Sequence, residues 1–475
     1  MVFSSAIFLF LFLPVVLIAY LAAGRVVARN AVLLGASLFF YAWGEEGYLL
    51  VLLVSVFINH RLGLGIHRAA GRGRTLLLGT AVGLNLLLLG YYKYANFLVE
   101  NINTLAPFLD LGAIDVDPVH LPLGISFFTF QAISYVVDIY RGQSEPQRSF
   151  FGVALYISMF PQLVAGPIVR YNTIEQTLSH RSLSIEGFAD GSRRFLIGLA
   201  KKLLIANLVG QVADEIFSLP AGAISPAVAW FGVLCYAIQI YFDFSGYSDM
   251  AIGLGRMFGF TYPENFNFPY ISRSVQEFWR RWHMTLSNWF RDYVYIPLGG
   301  NRCARPRVYF NLVVVFLLTG LWHGASWNFV AWGFYHGAFL VLERLGLGRL
   351  LERLPNLVSH AYLIAVILVS WVFFRAEDLP TALEYLGAML AMNEQTPFDN
   401  VLLHADARVW LALGAGVCFS MPVAPRLRNL ARRVETGTAR ATLVLCGDVM
   451  LLLLLWLCAL EIAGGTYNPF IYFRF

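Results

Sequence analysis

The sequence predicts an all-α protein that crosses a membrane many times. Three observations predict it. Hydrophobic residues make up 58% of the 475-residue chain and charged residues only 13%, whereas an average soluble domain holds about 25% charged residues. Apolar runs recur from end to end, many near the length of a helical span, about 20 residues for a hydrocarbon core of roughly 30 Å. Arginine gathers in alternate connections between the early runs, as the positive-inside rule requires. Composition therefore excludes a disordered chain and a large soluble enzyme. A formal net charge of +5 is a small excess for a nucleic-acid binder, so the expected surroundings are membrane lipids and no nucleic acid.

The runs at 4–22, 76–92, 122–140, 151–168, 226–242, 309–322, 326–342, 360–374, 409–422 and 442–463 read as spans. The first has no basic residue ahead of it, unlike a secretory signal, and reads as an uncleaved span with the N-terminus outside. Runs 31–43 and 47–59 are shorter and split by Gly44, Glu45 and Glu46, so they read as two short spans or a re-entrant pair. Residues 195–217 mix apolar positions with Lys201, Lys202, Asp214 and Glu215, the pattern of an interfacial or bundle-edge helix. About 10–13 membrane helices are expected in all.

Arg25 and Arg29 place the first connection in the cytoplasm. Glu45 and Glu46 then fall outside. A loop at 60–75 with Arg61, Arg68, Arg72 and Arg74 returns inside, and a loop at 93–121 with Lys93, Glu100, Asp110, Asp115 and Asp117 reads as outside. Arg141 and Arg148 are inside again, and Arg426, Arg428, Arg432, Arg433 and Arg440 mark a later cytoplasmic loop. No internal repeat or soluble domain boundary interrupts the chain, so residues 1–475 read as a single integral membrane unit. Five cysteines occur without a CxxC pair and read as structural thiols; no metal site is expected.

Residues 243–307 form an unusually polar block. It opens with Asp243 and Asp249, then carries Trp279, Arg280, Arg281, Trp282 and His283, then Asn288, Arg291 and Asp292. Seven arginines against two acids between Arg273 and Arg307 give this stretch alone a net +5. It reads either as a topology-setting cytoplasmic loop or as a face that grips phosphates of an anionic donor. Trp279 and His283, four residues apart, are expected on one helix face.

A second polar feature, Gly320-Leu-Trp322-His323-Gly324-Ala-Ser-Trp-Asn328, lies between two apolar runs. An ionisable side chain there faces a cavity or route rather than lipid. An imidazole suits a general base at neutral pH, and the bland alternative is a histidine that bonds a neighbouring helix. His336, roughly 220° around a helix from His323, reads as structural. HExxH, GxxxxGK[ST] and GxSxG are absent. Chemistry must rest on His, Asp, Asn and backbone groups.

The blocks FWRRWHMTLSNWFRDYVYIPLGGNR and GLWHGASWNF resemble the membrane-bound O-acyltransferase (MBOAT) family. So do YFDFSGYSDMAIGLG, PLGISFFTFQAISYVVDIYRG and FPQLVAGPIVRY, while the opening MVFSS and the ending NPFIYFRF look like the bacterial branch that acetylates exopolysaccharides such as alginate. The resemblance implies a ring of membrane helices, with re-entrant and amphipathic helices, around a thin core. It implies His323 as the buried catalytic histidine and His283 as the second functional histidine, assisting by hydrogen bonding or by polarising the donor. Trp322, Asn288 and Asp243 are the expected lining, with Trp279, Arg280, Arg281 and Arg291 on the donor side. No tightly bound cofactor is expected. The resemblance further implies acetyl-CoA as acyl donor, a periplasmic SGNH-type acetyltransferase partner, a polysaccharide acceptor pathway and a place in the bacterial inner membrane. Two other readings stay open: D-alanyl transfer to teichoic acid within the same family, and a transporter or flippase without covalent chemistry.

Overall fold

A computed structural model of the chain describes residues 1–45, 47–392, 400–432, 437–465 and 467–469. Glu46, Arg433 and residues 470–475 of the NPFIYFRF ending lie outside the described residues. Every regular element among the described residues is a helix. Six of these helices are long and apolar enough to cross a membrane, and three further apolar helices are shorter. The protein is therefore an all-α, multi-pass membrane protein.

The chain forms two compact units, one of Met1–Ser192 with Ala251–Pro263 and one of Arg193–Met250 with Glu264–Phe475. The first contains α1 (Phe8–Ala22), α2 (Val26–Ala42), α3 (Leu49–Arg68), α4 (Gly71–Leu105), α5 (Ile125–Arg141) and α6 (Phe150–Ser158). The runs 31–43 and 47–59 form two helices, of which α3 is long and apolar enough to cross a membrane and α2 is shorter. Asn59 of α3 and Asn85 of α4 exchange side-chain hydrogen bonds of 3.1 and 2.7 Å, which satisfies both amides inside an apolar pair. The expected loop at 60–75 shrinks to residues 69–70, because α3 runs on to Arg68 and α4 starts at Gly71. Arg74 turns inward and donates to the carbonyls of Ile139 and Tyr140 at the end of α5, where a cation suits the negative end of the helix dipole. Lys93 is not a loop residue either. It sits within α4, buried, with its ammonium on the Ser126 hydroxyl at 3.3 Å. The span expected at 151–168 breaks at Met159, whose backbone is non-helical, and Pro161 sits in the first turn of the short helix Phe160–Leu163 that follows; proline has no N–H to carry a helix on and is tolerated only in a first turn.

Further along the chain, shorter elements aside, come α7 (Ile185–Ser218), α8 (Pro226–Met257), α9 (Val275–Trp279), α10 (Met284–Phe290), α11 (Arg305–His323), α12 (Trp327–Leu342), α13 (Asn356–Arg375), α14 (Leu379–Met389), α15 (Ala407–Phe419), α16 (Val423–Arg432) and α17 (Thr438–Gly464). Chain passes between the units within α7 and α8.

Helix α7 corrects the interfacial reading of 195–217. Two-thirds of its apolar window is buried, and its charges are neutralised by partners rather than by water. Lys202 pairs with Asp243 at 2.8 Å, Lys201 with Asp249 at 2.6 Å, and Asp214 with Arg375 at 2.7 Å. A paired charge loses much of the cost of leaving water, so a mixed pattern can sit inside a bundle.

Candidate active site

The site is built in the second unit from three pieces of chain. The first is α8, which carries Asp243, Phe244 and Ser248 along one stretch of buried helix.

The second is the return segment 264–290. Here α9 stops at Trp279 and α10 begins at Met284, with His283 between them at φ 42°, in the left-handed region. Trp279 and His283 therefore do not share a helix face, contrary to the sequence expectation, because the helix breaks between them. Asn265 holds the break. Its carbonyl accepts the Met284 N–H at 2.9 Å, and its side-chain oxygen accepts from Thr285 Oγ1 at 2.8 Å and from the Thr285 N–H at 3.3 Å. Non-glycine left-handed residues persist where surroundings over-determine them. The His283 imidazole is completely buried, with Nδ1 3.1 Å from Asn265 Oδ1 and its ring edge-on to Phe244 at 4.7 Å. Burial pushes its pKa down to about 3, so the ring is neutral at physiological pH.

The third piece is the α11–α12 hairpin. Gly320 of α11 faces Gly333 of α12, and a Cβ on Gly320 would collide with the Phe329 carbonyl. Small residues there let the two backbones approach closely. α11 ends on His323, and the turn that follows needs Gly324, whose Cβ would strike the Phe329 ring. Asn328, which also bonds the Ser326 hydroxyl, donates to the carbonyls of Phe373 and Ala376 at 3.2 and 2.8 Å, pinning the start of α12 to the end of α13.

His323 is thereby held among aromatic rings: Trp322 at 4.9 Å, Trp332 at 5.1 Å and Phe374 at 5.0 Å between centroids. Trp322 also lies 6.1 Å from the His283 ring. The two histidines, distant in sequence, thus flank one indole. On the far side Trp332 touches His336 at 4.9 Å, and Trp279 donates its indole N–H to His336 Nδ1 at 3.3 Å. His336 is fully buried and belongs to the same aromatic cluster, which the 220° offset from His323 concealed; Trp332 bridges the gap.

The other sequence candidates divide. Asp243 is sealed against Lys202, which also donates to the Pro469 carbonyl; a buried, partnered carboxylate of this kind braces α7 against α8. Arg281 pairs with Glu277 at 3.0 Å and Arg291 with Asp292 at 2.6 Å, so the net +5 of this stretch rests on the other arginines, Arg280 among them. Arg280 and Asn288 are exposed. Lys202 and Asn265 were not legible as site residues. A lysine in a mixed helical pattern looks solvated, and an asparagine in a turn-rich loop looks like a turn residue. Among the described residues no group of His, Cys, Asp and Glu is placed to hold a metal ion.

Comparison with known proteins adds the following. The profile of the MBOAT, membrane-bound O-acyltransferase family matches residues 142–374. The chain is 40% identical to the probable alginate O-acetylase of Pseudomonas putida, over all of both chains. It is 38% identical to the peptidoglycan O-acetyltransferase of Helicobacter pylori, over 85% of each. It is 31% identical to the teichoic acid D-alanyltransferase of Bacillus subtilis, over 46% of this chain and 58% of that one. The matched stretch of the family profile contains His283, Trp322, His323 and His336.

Proposed function

Because the chain belongs to the membrane-bound O-acyltransferase family and is an O-acyltransferase, we propose that it transfers acetyl groups to a polysaccharide, with alginate the first polymer to test. The observation that carries this reading is the pair of buried histidines on either side of Trp322, in a chain similar from end to end to a probable alginate O-acetylase.

Acetyl-CoA is the donor in this reading, reaching the site from the cytoplasm. Its charged carrier cannot cross hydrocarbon cheaply, whereas an acetyl group can. Arg280, exposed beside the site segment, suits a donor phosphate. The acceptor hydroxyl oxygen attacks the thioester carbonyl carbon while an imidazole nitrogen of His323 takes the hydroxyl proton. The new C–O bond forms, the C–S bond breaks, and the proton held by His323 passes to the departing CoA thiolate. His283 assists by hydrogen bonding. The acceptor hydroxyl in this reading is presented on the periplasmic side of the bacterial inner membrane by an SGNH-type acetyltransferase partner, which carries the acetyl as that ester until a polymer hydroxyl displaces it, and the N-terminus is periplasmic.

The test is transfer of labelled acetyl from acetyl-CoA in membranes that hold this chain, with labelled D-alanyl carrier protein offered in parallel. Acetyl incorporation into polysaccharide that disappears in His323→Ala, at unchanged membrane abundance, supports the reading. D-alanyl incorporation instead of acetyl overturns it in favour of the teichoic acid reaction. Intact polymer export with no acyl transfer overturns both.

A further inference from the structure

The hydrogen bonds around His283 fix which of its two nitrogens carries the proton. Asn265 Oδ1 faces the backbone N–H of Thr285 at 3.3 Å and the Thr285 hydroxyl at 2.8 Å, and the Asn265 amide nitrogen donates to Ser248 Oγ at 3.1 Å. A backbone N–H can only donate. The amide therefore cannot be turned the other way, since its own NH2 would then oppose that N–H. Its oxygen accepts from every group it meets, including His283 Nδ1 at 3.1 Å. Nδ1 must carry the hydrogen. In a neutral imidazole that leaves Nε2 with a bare lone pair. Nε2 is buried and meets no hydrogen-bond partner among the described residues.

We infer that Asn265, braced by Ser248 and Thr285, is a positioning residue that locks His283 as the Nδ1–H tautomer, so that Nε2 accepts a hydrogen bond from a hydroxyl of the acyl acceptor. This rests on the acyl-transfer reading of the site and sharpens it. A lone pair cannot polarise a carbonyl, which needs a donor. His283 therefore acts on the hydroxyl side of the reaction and not on the thioester oxygen. The opposite arrangement occurs nearby: His336 Nδ1 accepts from the Trp279 indole N–H, and indole only donates, so a neutral His336 bears its hydrogen on Nε2. Two buried histidines of one aromatic cluster are thus held in opposite tautomers by partners on the same polar segment. Such partners fix ring orientation as well as proton position.

The direct test is nitrogen-15 NMR of histidine-labelled protein in lipid nanodiscs, with the His283 signals identified by their loss in His283→Gln. The wild type is expected to show a protonated Nδ1 and an unprotonated Nε2. Asn265→Asp keeps an acceptor oxygen and is expected to keep that signature, whereas Asn265→Leu is expected to give mixed tautomers. In membrane vesicles supplied with acetyl-CoA, Asn265→Leu is expected to lower kcat about 10–100-fold, the usual cost of losing an orienting partner, with KM for acetyl-CoA unchanged. Nε2–H at His283 in the wild type overturns the inference whatever the Asn265 variants do. So does an Asn265→Leu protein that retains the Nδ1–H signature. Acetyl transfer surviving in His323→Ala would instead overturn His323 as the base, and no acyl transfer by the wild type would overturn the acyl-transfer reading, each leaving the tautomer assignment standing.

Discussion

A left-handed backbone at a residue with a Cβ costs roughly 1–2 kcal/mol, and His283 adopts it where the Asn265 bonds outweigh that cost. The same burial makes the ring sensitive to acid. Its pKa falls from 6.5 in the exposed chain to about 3 in the fold. Between those values the unfolded chain binds more protons, so stability falls as pH drops from 6.5 towards 3 and is unaffected above. Melting temperature in nanodiscs should decline through that window, with a shallower decline in His283→Gln; identical slopes would contradict the assignment. Lys202 makes the complementary point for charge. Lys202→Met leaves Asp243 buried without its cation and should destabilise by about 3–5 kcal/mol, whereas the double variant Lys202→Met with Asp243→Leu should recover most of that loss. Thermal unfolding of the three variants measures it. His323 stood out as a candidate because it is an ionisable residue beside an apolar run and lies in the GLWHGASWNF block that carries the family resemblance. The Lys202–Asp243 pair did not, because its halves are 41 residues apart and each alone resembles a solvated charge.

Helices α11 and α12 show how an element sets the site. Their close approach at Gly320 and Gly333 places His323 under Trp332, and Asn328 fixes the hairpin to α13. Gly320→Ala should force the helices apart, cost about 1–3 kcal/mol as overpacking does, and reduce acyl transfer more than Gly90→Ala, where a Cβ meets nothing within 4 Å. Melting curves and transfer rates measured side by side check both parts. The apolar runs were legible at this scale, since hydropathy reports what lipid and core both accept. The breaks were less so. The interruption at Met159 hides inside an apolar run beside Pro161, the end of α9 at Trp279 goes with bonds with Asn265 and Asn267 outside the helix, and α7 looked interfacial because its charges find protein partners that its own sequence does not contain.

At the scale of the molecule, the exposed surface of a helix such as α17 is almost wholly apolar: only 6% of its apolar window is buried. Lipid is the partner such a surface requires. Cys418 on α15 and Cys446 on α17 are exposed, so a membrane-impermeant maleimide should leave both unlabelled in intact membranes and label them after denaturation in detergent. Ready labelling in intact membranes would contradict the assignment of those helices to lipid. The net +5 belongs to this scale as well. It concentrates between Arg273 and Arg307; Arg281 and Arg291 are held by Glu277 and Asp292, so the excess is carried by Arg273, Arg280, Arg302, Arg305 and Arg307.

The central claim is that acyl transfer occurs at His323 beside Trp322 and His283. Purified protein in liposomes, supplied with acetyl-CoA and the polysaccharide-assembly membranes of the same cell, tests it through labelled acetyl reaching polymer. Wild type should transfer label, and His323→Ala should transfer none while melting at the wild-type temperature. Label transfer by a folded His323→Ala protein would contradict the account.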